Sequence, residues 1–148
     1  DTWGGTLTPE YYRHYSLAPM MRAVEKLHRH HEGATIPVIL FSKGANHSLE
    51  QLANSGANGV GLDWTINIRD ASKIVGDRVS LQGNLDPTVL YSTPQTVIEQ
   101  ARAVLDAYPK HSGHVFNLGH GIHPGIKPEN VKTLVDFVHQ YSHEQKSK

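Results

Sequence analysis

The stretch Val115-Phe116-Asn117-Leu118-Gly119-His120-Gly121 decides how this chain is read. Apolar residues run into a turn in which two glycines flank an imidazole, a pairing that an ordinary connection does not need. A strand ending in such a turn sets its histidine at the carboxyl end, where parallel α/β sheets carry their chemistry. His120 is therefore the first candidate for function, and the rest of the chain reads as repeats of the same unit.

Upstream, Ile36-Pro37-Val38-Ile39-Leu40-Phe41, Gly59-Val60-Gly61-Leu62 and Val79-Ser80-Leu81 are short apolar runs, the expected look of strands covered on both faces. They finish in Ser42-Lys43-Gly44, Asp63-Trp64 and Gln82-Gly83-Asn84. Helical patterns lie between them. Thr8-Pro9-Glu10 supplies an N-cap, a proline at the first helical position and an acid in the first turn, and Leu17, Met20, Met21, Val24 and Leu27 recur at helical spacing. That helix is expected to reach about His31, which puts His28, His30 and His31 in a charged helix end. Ser48 and Gln51 have capping-box spacing before a helix that closes at Gly56. Another helix covers Ile68 to Val75 and stops at Gly76; Asp86-Pro87 shapes a turn; Thr93-Pro94 starts a long helix that ends near Pro109. Pro128-Glu129 opens the last, with Val131, Leu134, Val135 and Val138 on one stripe.

Strict alternation of strand and helix implies an α/β fold with a mainly parallel sheet and the helices outside it. All strand ends then share one rim, which collects Thr2, Lys43, Asp63, Gln82, Asn84, Asn117 and His120. Apolar strands with polar ends describe the catalytic face of a TIM (β/α)8 barrel, a fold of typically about 250 residues. The expectation is that residues 1–148 form a single domain, the C-terminal part of such a barrel. Asp1-Thr2-Trp3-Gly4-Gly5 reads as the end of a strand whose body is missing, and an open flavodoxin-like sheet leaves that start unexplained.

Composition bounds the function. Fourteen Lys and Arg balance fourteen Asp and Glu among 148 residues, so no global field draws the chain to nucleic acid or an anionic membrane. Cysteine is absent, which removes disulfides and thiolate metal sites. No apolar run is long enough to span a bilayer, and a cytoplasmic location is the expectation. His120 and His123 have a spacing that suits a metal, but no acid or Cys lies in that loop, so no metal is expected.

Taken together, Asp1-Thr2-Trp3-Gly4-Gly5, Gly61-Leu62-Asp63-Trp64-Thr65, Leu81-Gln82-Gly83-Asn84-Leu85-Asp86-Pro87 and Asn117-Leu118-Gly119-His120-Gly121 resemble, in order and spacing, the uroporphyrinogen decarboxylase family. The resemblance covers essentially the whole chain and looks most like a bacterial member. It implies a barrel carboxy-lyase of haem biosynthesis that decarboxylates the four acetate side chains of uroporphyrinogen III to give coproporphyrinogen III. It also implies a cytoplasmic homodimer with no metal and no organic cofactor. By position, Thr2 matches the family's substrate-contacting hydroxyl and His120 its substrate-binding histidine. No catalytic residue is assigned firmly to this portion, although His120 has a pKa suited to carrying a proton. The family's arginine-rich loop, its pyrrole-gripping aspartate and a substrate-contacting tyrosine belong to the N-terminal half, so the chain alone is expected to be inactive.

Duller readings stand beside these. His120 is also read as a structural histidine tying its loop to a neighbouring strand, and Asp63 as a buried carboxylate bonded to backbone N–H groups rather than a general acid. Lys43 is either a receiver of substrate carboxylates or a solvated lysine; Gln82 and Asn84 are further rim residues. Two other functions are weighed: a related barrel methyltransferase with zinc held by His and Cys, which the lack of Cys argues against, and a non-catalytic fragment that self-associates through exposed apolar edges.

Overall fold

Proline and short polar side chains set most helix starts, and glycine sets several stops. In the computed structural model, which describes residues 1–109 and 113–146, Thr8 accepts from the backbone of Tyr11 at 3.3 Å to open α1 (Pro9–Tyr12). Asn67 and Thr93 likewise cap α4 (Ile68–Val75) and α5 (Pro94–Ala107), and Gly76, at φ 57°, ends α4. The remaining helices are α2 (Ala18–Lys26), α3 (Leu49–Ala53) and α6 (Pro128–Lys146). The strands are β1 (His30–His31), β2 (Ala34–Thr35), β3 (Ile39–Phe41), β4 (Gly59–Gly61), β5 (Ser80–Leu85) and β6 (His114–Leu118).

The first helix departs from its expected course. Pro19 has no N–H to return to the carbonyl of Tyr15, and the chain widens into a π-turn over Arg13–Leu17 between α1 and α2. It also stops early, at Lys26. His30 and His31 sit in a hairpin instead of a helix end, because Glu32 (φ 48°) and Gly33 (φ 81°) make a two-residue turn that pairs β1 with β2. The Ser48 capping box does not form. Ser48 is buried in a 3-10 turn, Asn46–Ser48, whose backbone bonds lead into α3.

Strands β3, β4, β5 and β6 are parallel and lie side by side in chain order. The amino group of Asp1 donates to Phe41 O at 2.7 Å and Lys43 N donates to Asp1 O at 2.9 Å, the bond pair of one more parallel neighbour beside β3. Every helix that packs on the sheet packs on the same face. Leu49, Leu52, Ile68, Ala71 and Val75 cover Val60, Leu62 and Leu81, while Val97, Ala101, Leu134 and Phe137 cover Leu85 and the half-buried Phe116 and Leu118. A doubly wound sheet has helices on both faces, whereas a barrel has them only outside. Sequential strand order with helices on one face makes this an arc of a (β/α)8 barrel.

The concave face carries the row Phe41–Gly61–Gln82–Val115, one residue from each strand in register, above Ile39–Gly59–Ser80. Ile39 is 44% exposed, so the expectation that this strand is covered on both faces fails for β3, and Val115 on β6 is likewise 47% exposed. No described element packs across the concave side of either. On β4 that face is bare backbone, because a Cβ at Gly61 would meet the Phe41 ring at 3.0 Å and one at Gly59 would meet Ile39 at 3.2 Å.

Candidate functional site

A cleft of about 460 Å³ opens over the concave face at the carboxyl ends of the strands. Phe41, Gly61 and Gln82 lie along one register row of its lining, and Asn117, Gly119 and His120 come from the end of β6 and the loop beyond it. None of the lining side chains is acidic. The rings of Phe41 and His120 stand 6.2 Å apart. Residues on the ends of strands three places apart in a flat sheet would be separated by about 14 Å. The loop after β6 thus carries the His120 ring to Phe41 although their strands lie three places apart.

The loop that carries His120 is fixed through its backbone. Gly119 N donates to Leu85 O at 2.7 Å, extending the β5–β6 ladder, and Gly119 rests on the Asp63–Trp64 peptide so closely that a Cβ there would meet Trp64 N at 2.6 Å. The imidazole itself is half-buried and makes no hydrogen bond among the described residues. Both ring nitrogens are thus available to a ligand. His123 does not join it; that side chain lies by Tyr91, ring to ring at 5.9 Å. No group of three or more His, Asp or Glu side chains able to hold a metal occurs among the described residues.

Asp63 is engaged elsewhere. Its buried carboxylate accepts from the backbone N–H of Gly44, from Thr65 N at 2.8 Å and Thr65 Oγ1 at 2.5 Å, and from Asn46 Nδ2 at 3.2 Å. Burial pushes its pKa up, but the bonds from the Thr65 hydroxyl, the Gly44 and Thr65 backbones and the Asn46 amide together hold it below the ordinary carboxylate value. The group is an ionised anchor joining the loops after β3 and β4, and it has no proton to give at neutral pH.

The other rim residues separate. Gln82 and Asn84, expected beyond a strand end at Leu81, lie inside β5, which continues to Leu85 because β6 pairs with it along that length. Gln82 lines the cleft. Asn84 does not; its buried amide donates to Asp63 O at 2.9 Å and Ile66 O at 2.6 Å, and the Gly83–Asn84 peptide is cis. Lys43 is half-buried with Nζ 5.3 Å from the centre of the Trp64 ring. Thr2 is exposed at the end of the strand segment beside β3, next to Lys43 and at the opposite end of the sheet order from His120.

Sequence reasoning missed Phe41 and His114. Phe41 carried a usable signal, since alternation along Ile39–Phe41 sets both on one face. His114 did not: it stacks on Tyr108 at 4.5 Å and its Nε2 donates to Gly83 O at 2.8 Å, a partner 31 residues away. Burial lowers its pKa, opposed by the bond to Gly83.

Residues 1–141 match the family model described as uroporphyrinogen decarboxylase (URO-D). The uroporphyrinogen decarboxylase of Thioalkalivibrio sulfidiphilus is 59% identical over 140 residues, which cover 95% of this chain and 40% of that protein. Those of Burkholderia cenocepacia and Ruthia magnifica are 53% and 49% identical, each covering 96% of this chain and 39% and 41% of their own length. The chain thus spans about two fifths of the curated relatives it matches. A solved methyltransferase from Methanosarcina mazei superposes with a TM-score of 0.79 over 96% of this chain and 41% of its own, at 20% identity. That likeness shows the fold alone.

Proposed function

The chain belongs to the uroporphyrinogen decarboxylase family, and from that premise we propose that residues 1–148 form one domain, the carboxyl-terminal part of a barrel enzyme that converts uroporphyrinogen III to coproporphyrinogen III. The observation that carries the reading is the free imidazole of His120 on an acid-free cleft at the strand ends. A polycarboxylate needs donors there and no competing anions, and a histidine in contact with it gives charge-assisted hydrogen bonds. Thr2 adds a neutral one. The resemblance further implies a cytoplasmic homodimer that works without a cofactor.

In the reaction, protonation of a pyrrole ring first makes it cationic. The bond between the acetate methylene and its carboxylate then breaks, its electron pair flows into the ring, carbon dioxide leaves, a proton completes the methyl group, and the ring releases the proton it first took, which restores the pyrrole. A carboxylate near the pyrrole nitrogens stabilises the cation, an electrostatic contribution that often dominates catalysis. Asp63 is too committed to supply it. In the family that role belongs to the aspartate of the other half, so this chain binds and orients while the charge is stabilised from across the cleft.

The test is turnover of uroporphyrinogen III, followed by chromatography of the oxidised porphyrins, for this chain alone and for the chain joined to the remaining part of the Thioalkalivibrio relative. The expected result is no turnover alone, turnover in the joined protein, and a loss of about tenfold or more for His120→Asn, the value of a hydrogen bond to a charged group. Absence of turnover in the joined wild type overturns the reading; wild-type kinetics for His120→Asn removes His120 from the site.

A further inference from the structure

Lys43 is placed with more care than a solvated lysine requires. Its backbone is pinned on both sides, by Lys43 N to Asp1 O at 2.9 Å and by Gly5 N to Lys43 O at 2.9 Å. Behind it, Gly5 and Gly44 approach so closely that a Cβ on either would come within 3.0 Å of the other's backbone, at 2.6 Å and 2.9 Å. Lys43 sits in the turn two residues beyond Phe41, which ends β3 and lines the cleft.

The ammonium is held but not neutralised. Among the described residues Lys43 forms no ion pair: the Asp63 carboxylate is taken by Gly44, Thr65 and Asn46, and that of Asp1, whose backbone bonds Lys43, accepts from Trp3 N at 2.8 Å and Ser16 Oγ at 2.6 Å. What Nζ has is the face of Trp64, at 5.3 Å. An aromatic face attracts a cation through its quadrupole and uses none of the three N–H donors. The indole thus orients a cation whose hydrogen bonds remain to be made. Trp64 is also the residue on which Gly119 rests, so the arc Lys43, Trp64, Gly119, His120 is continuous along the rim.

We infer that Lys43, steadied by the Trp64 ring, is a second carboxylate-binding residue of the site, receiving one carboxylate of the substrate while His120 receives another. The inference rests on the reading that the ligand is a polycarboxylate. Two donors on separate strand ends fix an orientation that one donor leaves free, and Lys43 acts through binding alone, with no proton or bond transferred.

Trp64 reports on the contact. The chain has two tryptophans, and Trp3→Phe leaves Trp64 as the single tryptophan, read by excitation at 295 nm where tyrosine scarcely absorbs. The probe is propane-1,2,3-tricarboxylate, which does not absorb in the indole region, titrated into the Trp3→Phe protein at low salt. The expected result is a saturable change in Trp64 emission, weakened about tenfold in Lys43→Met and largely retained in Lys43→Arg, with circular dichroism confirming that each variant is folded. In the joined enzyme Lys43→Met is expected to raise KM about tenfold with a much smaller effect on kcat. An emission unchanged by the tricarboxylate, or equal affinity in Lys43→Met, overturns the assignment. Neither result bears on turnover by the wild type, which alone decides the reading on which the inference rests.

Discussion

Thr65 gives Asp63 two hydrogen bonds, one from its backbone N–H at 2.8 Å and one from its hydroxyl at 2.5 Å, and so closes the turn after β4 on its own carboxylate. Asp63→Asn replaces an acceptor with an amide that turns a donor toward Gly44 or Asn46. The expected cost is about 1–3 kcal/mol, read as a lower urea midpoint at neutral pH. The pH dependence follows from the depressed pKa. Stability from the ionised group is complete above the ordinary value of 3.8 and is lost as pH falls through the lower folded value, so the variant loses that acid limb.

His114 behaves in the same sense at higher pH. Its folded pKa lies below the ordinary 6.5, so its contribution is complete above that value and declines as pH falls toward and through the folded one. His114→Phe keeps an aromatic ring against Tyr108 but loses the donor to Gly83 O. Thermal melts are expected to show about 0.5–1.5 kcal/mol lost at neutral pH and a flatter decline below pH 6.5 than in wild type.

Tyr141, on α6, is held protonated by Asp106 on α5. The hydrogen bond to that carboxylate, then burial and the carboxylate's charge, push its pKa up to about 12. Arg102 lies over both Tyr141 and Phe137 and completes the α5–α6 contact. In a rapid pH-jump titration at 295 nm, Tyr141→Phe is expected to remove a tyrosine transition near pH 12 and Asp106→Asn to move it back toward 10.0.

Gly119 and Gly121 flank His120 and predict opposite outcomes. Ala at 119 drives a Cβ into the Trp64 backbone, whereas Ala at 121 has nothing within 4 Å. Gly121→Ala is expected to stay within about 0.5 kcal/mol of wild type, and Gly119→Ala to cost more than about 1 kcal/mol and to shift the His120 ring resonances. Equal effects of the two would refute the rigid seating of the loop.

The concave face has its own consequence in solution. With Ile39 and Val115 nearly half exposed, the chain alone is expected to self-associate in sedimentation velocity at micromolar concentration, and Val115→Lys to shift it toward monomer.

How much of this was legible in the sequence depends on how local the cause was. The caps at Thr8 and Thr93, the stop at Gly76 and the βα alternation are set within a few residues, and they read correctly. The π-turn before Pro19 and the Glu32–Gly33 hairpin are local too, but the apolar spacing through Leu27 outweighed them. The inward row Phe41–Gly61–Gln82 depends on register between strands twenty residues apart, and the Asn84 amide bonds across to the β4–α4 loop. Neither leaves a mark on neighbouring residues. Exposure of β3 and β6 depends on what covers the concave face, which composition does not encode.

The bare backbone of β4 makes the cleft unusually easy to reshape. Gly59 and Gly61 contribute no side chain, and the space above them is filled from one side by Ile39 and Phe41. A change in the depth of that part of the wall is therefore written at a single codon on β3. Shortening Phe41 deepens the cleft beneath His120 without disturbing a hydrogen bond, whereas any change at Gly61 must displace Phe41 first. Ligand size in this lineage is thus open to selection through one aromatic residue, and the glycines opposite it are what keep that route open.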